Sequence, residues 1–125
     1  MSSGLKVLVV DDDMINRKLM AAMLKKNPTI EEIVEASDGQ EAITLLKDLN
    51  DIDLVLLDII MPVMDGIAVL QIMNSDPKLQ NIPVIVLTTD ETKKSEALNS
   101  GANDFIAKPV RENDIMGKIE RLSSL

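Results

Sequence analysis

Side chains capable of chemistry stand where the apolar runs of this 125-residue sequence end. Asp11 and Asp12 follow LKVLVV, Asp58 follows LVLL, Thr88 closes PVIVLT and Lys108 follows DFIA. A short apolar run bounded by polar or turn residues is typical of a buried β-strand. The carboxyl ends of parallel strands lie along one edge of a sheet, where open α/β folds place their functional groups. We therefore expect these five side chains to meet in one crevice.

Three carboxylates in one crevice need a counter-charge. At ~5 Å and an effective dielectric constant of about 20, each pair of full charges repels by roughly 3 kcal/mol. The chain has no histidine and no cysteine, so the side chains point to oxygen ligands, which suit Mg²⁺ first and Mn²⁺ as a substitute. Lys108 adds a positive charge and Thr88 a hydroxyl group. This combination predicts phosphoryl transfer onto a carboxylate, with a metal ion and a lysine neutralising the transferred charge.

Each feature also has an ordinary structural explanation. An Asp pair after a strand is most often a helix cap, a Thr at a strand end is usually only that, and Lys-Pro is a common turn. Asp58 alone could be an acidic residue in the turn around Pro62, with Asp65 capping the next helix. Their joint placement at four strand ends favours a functional site.

The rest of the sequence alternates between strand and helix patterns in five βα units. The predicted strands are Leu5–Val10, Ile30–Ala36, Leu54–Leu57, Pro83–Thr88 and Asp104–Ala107. Apolar residues at helical spacing follow each strand: Ile15, Leu19, Ala22 and Met23; Ala42, Leu45, Leu46 and Leu49; Ile67, Leu70 and Met73; Ala97 and Leu98 within 91–100; Ile115, Ile119 and Leu122. The alternation predicts an α/β fold, a single doubly wound domain over residues 1–125 with a parallel five-stranded sheet. The more polar second and fifth strands are predicted at the edges.

Composition narrows the functional class. Lys and Arg total 13 against 21 Asp and Glu, and the net charge of −8 argues against direct nucleic-acid binding. Apolar residues make up 46% of the chain with Phe105 the one aromatic residue, so an aliphatic core is expected. The apolar runs are too short for a membrane span and the N-terminus is unlike a signal peptide, so no membrane association and a cytoplasmic location are expected.

Four segments resemble, in order and spacing, the receiver domain of bacterial two-component response regulators: VLVVDDD, LLDIIMPVMDG, VIVLTTD and GANDFIAKP. The resemblance extends over essentially the whole chain. It implies a flavodoxin-like (βα)₅ fold with strand order 2-1-3-4-5. The implied function is a signalling switch that catalyses only its own phosphorylation and dephosphorylation, and is otherwise no enzyme.

The resemblance also implies roles for the site residues. Asp58 would be the phosphoacceptor. Asp11 and Asp12 would form the acidic pair, with Asp12, Asp58 and the backbone carbonyl of Ile60 as direct metal ligands. Lys108 would pair with a phosphoryl oxygen, and the peptide bond between Lys108 and Pro109 would be cis.

A second set of implied roles concerns switching. Thr88 would move to bond the phosphoryl group, and Phe105 would turn inward behind it. The alternative for Phe105 is an ordinary core residue. Since Phe lacks the hydroxyl that many relatives carry as Tyr, such a switch would depend on packing alone.

The implied partners follow from the same resemblance. A histidine kinase or histidine phosphotransfer protein would donate the phosphoryl group in trans, because the chain has no histidine. A downstream protein or an effector domain would read the face formed by the fourth helix, fifth strand and fifth helix. The chain would be a standalone regulator or part of a larger protein, and a monomer or a weak phosphorylation-dependent dimer.

Two other functions remain open from the sequence. A phosphohydrolase of the haloacid dehalogenase type would use Asp11 as its nucleophile, although Met14-Ile15 stands where that family has a small residue and Thr, and its late acidic motif is absent. An unphosphorylated receiver acting as an adaptor is the other, disfavoured because every expected site residue is present. The identity of the phosphorylated residue, Asp58 or Asp11, separates switch from hydrolase.

Overall fold

The computed structural model describes residues 4–123, so the ends of the predicted domain range, 1–3 and 124–125, lie outside the described residues. The strands are β1 Leu5–Val10, β2 Ile30–Ala36, β3 Leu54–Asp58, β4 Val84–Thr88 and β5 Asp104–Ala107. The helices are α1 Met14–Leu24, α2 Gly39–Leu49, α3 Gly66–Ser75, α4 Lys94–Asn99 and α5 Glu112–Ser123. This order confirms the five predicted βα units.

The five strands form one parallel sheet in the order β2-β1-β3-β4-β5, as the resemblance implied. Every residue of β3 and β4 is buried because helices cover both faces of the sheet. The more polar β2 and β5 are the edge strands, as predicted. All five strands run in the same direction, so their carboxyl ends share one edge.

The sheet separates two aliphatic cores. Helices α2, α3 and α4 pack on one face, and α1 and α5 pack on the other. The predicted stripes of α2, α3 and α5 contribute to these cores, with Leu45, Leu49 and Leu122 only partly buried. The two cores pack against both faces of the strands, which present the loops at the carboxyl edge.

The predicted apolar face of α1 is wrong at three of its four positions; the fourth, Met23, is partly buried against the core. Ile15 and Leu19 are 67% and 60% exposed, and Ala22 is exposed as well. The helix instead packs against the sheet through Met20, Ala21 and Leu24. Apolar residues occupy nearly every side of α1, so more than one stripe fits the helical spacing and periodicity alone selected the wrong one.

Helix α4 is shorter than the predicted 91–100. The side chain of Asp90 accepts a hydrogen bond from the backbone N–H of Thr92, and the segment begins as a 3₁₀ turn over Glu91–Lys93. Of the two predicted anchors, Ala97 is fully buried but Leu98 is 39% exposed. Gly101, with φ of 114°, follows the helix at the predicted stop.

Candidate functional site

The acidic turn after β1 is held by hydrogen bonds of its own. The buried carboxylate of Asp11 accepts a bond of 2.8 Å from the backbone N–H of Asp13. The side chain of Asp13 accepts bonds from the N–H groups of Ile15 and Asn16 and so caps α1. Asp12 lies between these two residues and is exposed to solvent. Helix capping thus explains Asp13, while Asp11 and Asp12 remain available for other chemistry.

Asp58 is the last residue of β3 and is only 6% exposed. The chain returns beside it at Gly66, whose backbone N–H donates to the carbonyl of Ile59 at 2.8 Å. A Cβ atom at Gly66 would lie 2.5 Å from the carbonyl oxygen of Asp58, so this return requires glycine. Asp65 caps α3, as predicted, by accepting from the N–H of Ala68. The start of α3 is therefore packed closely against the backbone of Asp58 and Ile59.

The structure brings four of the predicted site residues together. One carboxylate oxygen from each of Asp11, Asp12 and Asp58 lies within 4.8 Å of the others. The ammonium of Lys108 lies 3.0 Å from Asp11 and 3.4 Å from Asp58. These residues lie at or directly after the carboxyl ends of β1, β3 and β5, which is the juxtaposition predicted from the strand ends.

Burial and charge shift the pKa values within this cluster. Burial raises the pKa of Asp58 from 3.8 to about 6, although the nearby charge of Lys108 lowers it; the charge of Asp11 adds to the rise. Burial also works to lower the pKa of Lys108, but its hydrogen bond to Asp11 and the charges of both carboxylates outweigh burial and leave that pKa raised. Lys108 is therefore a permanent cation next to a carboxylate that is unusually easy to protonate.

Thr88 and Lys108 are joined through the backbone. The N–H of Lys108 donates to the carbonyl of Thr88 at 2.8 Å, and Thr88 is 1% exposed at the end of β4. Its hydroxyl oxygen accepts a bond of 3.1 Å from the N–H of Asp90. The peptide bond between Lys108 and Pro109 is cis.

Phe105 and Ile60 lie outside the cluster of three carboxylates and Lys108. Phe105 is half-buried in β5 and packs in the core on the α2–α4 side. The ammonium of Lys94 lies 5.9 Å from the centre of its ring, within the range of a cation–π contact. Ile60 is 54% exposed, and its backbone N–H bonds to Asp58 and works to lower that residue's pKa.

The donor set fits a hard divalent cation. The cluster offers carboxylate oxygens alone, and the chain contains no histidine or cysteine. Mg²⁺ holds its ligands at about 2.0–2.1 Å, so oxygens on opposite sides of the ion are ~4 Å apart. Oxygens already within 4.8 Å of one another need only small side-chain movements to reach that geometry.

Arg17 is a site residue that sequence reasoning missed. Its guanidinium donates to the backbone carbonyl of Asp11 at 2.9 Å and to the carboxylate of Glu35 at 3.1 Å. Arg17 stands one helical turn after the cap Asp13, and Glu35 interrupts the apolar pattern of β2. These two charges were a signal, but only the tertiary fold reveals that they meet beside the acidic pair.

Comparison with known proteins gives the class. Residues 7–120 match the response regulator receiver domain family. The chain is 40% identical over 117 residues to the CAI-1 autoinducer sensor kinase/phosphatase CqsS of Vibrio cholerae, covering 91% of this chain and 17% of that protein. It is 37% identical over 115 residues to protein-glutamate methylesterase/protein-glutamine glutaminase 1 of Rhodospirillum rubrum, covering 90% of this chain and 30% of that protein. The solved chemotaxis protein CheY4 of Vibrio cholerae superposes with a TM-score of 0.86 at 27% identity, over 96% of this chain and 99% of that one.

The chain belongs to the response regulator receiver domain family of two-component signalling, and its fold is flavodoxin-like. It spans less than a third of the length of both curated relatives named above, and both of those proteins are named for enzymatic activities. Over residues 4–123, no helix is long and apolar enough to cross a membrane.

Proposed function

We propose that the chain, as one receiver domain over residues 1–125, accepts a phosphoryl group on Asp58 and passes the signal to a partner. The observation that carries the proposal is the cluster of Asp11, Asp12 and Asp58, with carboxylate oxygens within 4.8 Å of one another and Lys108 in contact with two of them. Such an arrangement concentrates negative charge where one carboxylate must act as a nucleophile, and supplies one cation to offset it.

The chemistry assigns a separate task to each side chain. An oxygen of ionised Asp58 attacks phosphorus, and the bond from phosphorus to the donor nitrogen breaks as the new oxygen–phosphorus bond forms. Mg²⁺ held by Asp12, Asp58 and the carbonyl of Ile60, with Asp11 beside them, would neutralise the charge on the phosphoryl oxygens. Lys108, already placed between two carboxylates, pairs with one of those oxygens.

The donor is a histidine kinase or histidine phosphotransfer protein acting in trans to this domain, since residues 1–125 contain no histidine to carry the phosphoryl group. A groove of ≈ 390 Å³ next to the site supports such an encounter. Its apolar walls include Leu19, Met20, Met23, Pro109 and Val110. Asp11 and Lys108 also line it, so a donor seated there would lie beside the acidic cluster.

The signal leaves through Thr88 and Phe105. A phosphoryl group on Asp58 gives the hydroxyl of Thr88 a charged acceptor, and Phe105 takes up the space that Thr88 leaves. Helix α4, β5 and α5 form the face that a downstream protein or effector domain reads. This assignment makes the chain a switch whose only catalysis is its own phosphorylation and dephosphorylation.

Intact-mass measurement tests the proposal. Acetyl phosphate with Mg²⁺ should add one phosphoryl group to the wild-type protein and none to Asp58→Asn, because an amide is a far poorer nucleophile. Thr88→Ala is the matched control, since it alters a neighbouring side chain and should still be phosphorylated. Equal incorporation in wild type and Asp58→Asn would reject Asp58 as the phosphoacceptor. Absence of incorporation in wild type would favour a receiver that acts as an unphosphorylated adaptor.

A further inference from the structure

Asp12 is the member of the acidic cluster whose side chain is held by the fewest contacts. Its side chain is exposed, and its carboxylate has no hydrogen-bond or ion-pair partner among residues 4–123. Asp11 differs, because its carboxylate is held by the N–H of Asp13 and by Lys108. The position of the Asp12 carboxylate therefore depends on the backbone that carries it, and above all on the peptide that joins it to Asp11.

That peptide is held by Arg17. The guanidinium donates to the carbonyl of Asp11 with one nitrogen and to the carboxylate of Glu35 with another. The Arg17 side chain is only 14% exposed, and Glu35 belongs to β2, where it pairs in register with Val9 of β1. Glu35 is thus held in the sheet, and Arg17 links the loop after β1 to that strand.

A second cation contacts Glu35 without contributing to the link between Arg17 and Asp11. Lys18 contacts the same carboxylate at 2.9 Å, and this contact lowers the pKa of Glu35, with a smaller contribution from Arg17. Lys18 itself is 62% exposed and has no contact with the acidic turn. The two neighbouring cations share one partner, but only Arg17 reaches the carbonyl of Asp11.

We propose that Arg17 is a positioning residue for the cation site. By bridging Glu35 on the sheet to the carbonyl of Asp11, it fixes the peptide that presents Asp12 to the divalent ion. This inference rests on the proposed function, because it concerns the Mg²⁺ that the acidic cluster would hold. A fixed carboxylate needs no reordering when the ion binds, which is how residues behind metal ligands raise affinity.

The direction in which one substitution shifts the Kd for Mg²⁺ distinguishes a positioning role of Arg17 from an effect of its charge. Arg17 is a cation near the site, so removing it should strengthen Mg²⁺ binding if its charge alone mattered. If Arg17 orients Asp12, its removal should weaken binding instead. Arg17→Met keeps much of the side-chain bulk while deleting both the charge and the bonds, so the two accounts predict opposite shifts in Kd.

The experiment is a Mg²⁺ titration followed by calorimetry or by amide NMR shifts in the full chain. We expect Arg17→Met to raise the Kd roughly tenfold, the lower end for residues that support metal ligands. Lys18→Met is the matched control, because it removes a cation from the same Glu35 without touching the acidic turn, and its Kd should equal the wild-type value or fall slightly. Arg17→Lys retains the charge but lacks the two-pronged donor, so its Kd should lie between those of wild type and Arg17→Met.

A double-mutant cycle with Asp12→Ala shows whether the effect passes through Asp12. Arg17→Met should have little further effect on Mg²⁺ binding once Asp12 is absent. A merely structural role would instead weaken binding by the same factor in both backgrounds. Melting temperatures of the metal-free variants record any loss of folding. If Arg17→Met does not fold, the same cycle is run with Arg17→Lys.

Each result has one meaning. Unchanged or tighter binding in Arg17→Met, with normal binding in wild type, would overturn the role of Arg17 and leave the proposed metal site intact. Absence of Mg²⁺ binding in wild type would overturn the metal site itself, and the role of Arg17 with it. A weakened Arg17→Met beside an unchanged Lys18→Met would support the inference.

Discussion

The carboxylate of Asp58 is more costly to ionise in the folded protein than in water. Burial is the main cause, Asp11 adds to it, and Lys108 at 3.4 Å offsets only part of the penalty. The proposed chemistry needs this group ionised and close to other carboxylates, and this arrangement lowers the stability of the folded protein. Replacing Asp58 by an uncharged residue should therefore raise the free energy of unfolding.

We predict that Asp58→Asn stabilises the metal-free protein at pH 7.5. The pKa of Asp58 is about 6 in the folded chain against an ordinary 3.8, so the folded state binds more protons between these values. Its contribution to stability therefore falls as pH rises through this window, and the full cost is present above pH 6. The gain from Asn should be on the order of 1–2 kcal/mol after solvent screening, and smaller at pH 4.5.

Chemical denaturation of both proteins at the two pH values measures this difference. Asp11→Asn removes the like charge and should lower the pKa of Asp58, so its effect on stability should share the same pH trend. An Asp58→Asn variant whose advantage did not grow from pH 4.5 to pH 7.5 would show that Asp58 titrates normally.

At the level of elements, the strands were predictable and one helix orientation was not. Buried parallel strands are short apolar runs, so β1, β2 and β5 have the predicted bounds. For α1, Leu19 and Met20 are adjacent apolar residues, and nothing local determines which of them faces the sheet. Tertiary packing buries Met20 and leaves Leu19 exposed. Arg17 was missed for a related reason, because its partner Glu35 is 18 residues away.

Two glycines in helices should respond to alanine in opposite directions. A Cβ at Gly39, the first residue of α2, would lie 2.5 Å from the carbonyl oxygen of Met64. Gly39→Ala should therefore destabilise the protein by roughly 1–3 kcal/mol, as overpacking does. Around Gly117 in α5, no atom of residues 4–123 beyond its chain neighbours and its own helix backbone lies within 4 Å of the Cβ position, so Gly117→Ala should stabilise by about 1 kcal/mol.

Urea denaturation of the two variants against wild type is the measurement. A Gly39→Ala protein as stable as wild type would mean that α2 does not pack closely against the backbone of Met64, in the loop after Asp58. Phosphorylation of Gly117→Ala should be unchanged, since the acidic cluster and Lys108 lie outside α5.

Helix α4 buries little of its side-chain surface, so we expect it to shift at low cost. Its one fully buried side chain is Ala97, while Leu98 is 39% exposed. A charge-assisted hydrogen bond from Thr88 to a phosphoryl group is worth about 1.5–3 kcal/mol, comparable to a two-state gap of a few kcal/mol. We predict that Thr88→Ala leaves phosphorylation of Asp58 largely intact but removes the response of α4.

Amide NMR shifts of α4 on adding a beryllofluoride mimic report this coupling. Wild type should show large shifts in α4 and β5, and Thr88→Ala should show them only around Asp58. Equal responses of α4 in both proteins would exclude Thr88 as the link.

For the whole molecule, the parallel sheet is what turns separate sequence segments into a site. Residues separated by as many as 97 positions, Asp11 and Lys108, come within 3.0 Å because their strands end at one edge. The site could be predicted to this extent because strand ends are visible in the sequence. The bonds that orient each side chain could not, since they depend on contacts between loops.

The central claim is that Asp58 carries the phosphoryl group. The most direct measurement is to treat the wild-type protein with acetyl phosphate and Mg²⁺, reduce the acyl phosphate with borohydride, and locate the modified residue by peptide mass spectrometry. The account predicts modification at Asp58, dependent on Mg²⁺ and absent after chelation. Modification at Asp11 instead would contradict it and favour a phosphohydrolase, and modification of neither residue would contradict the proposed phosphoacceptor function altogether.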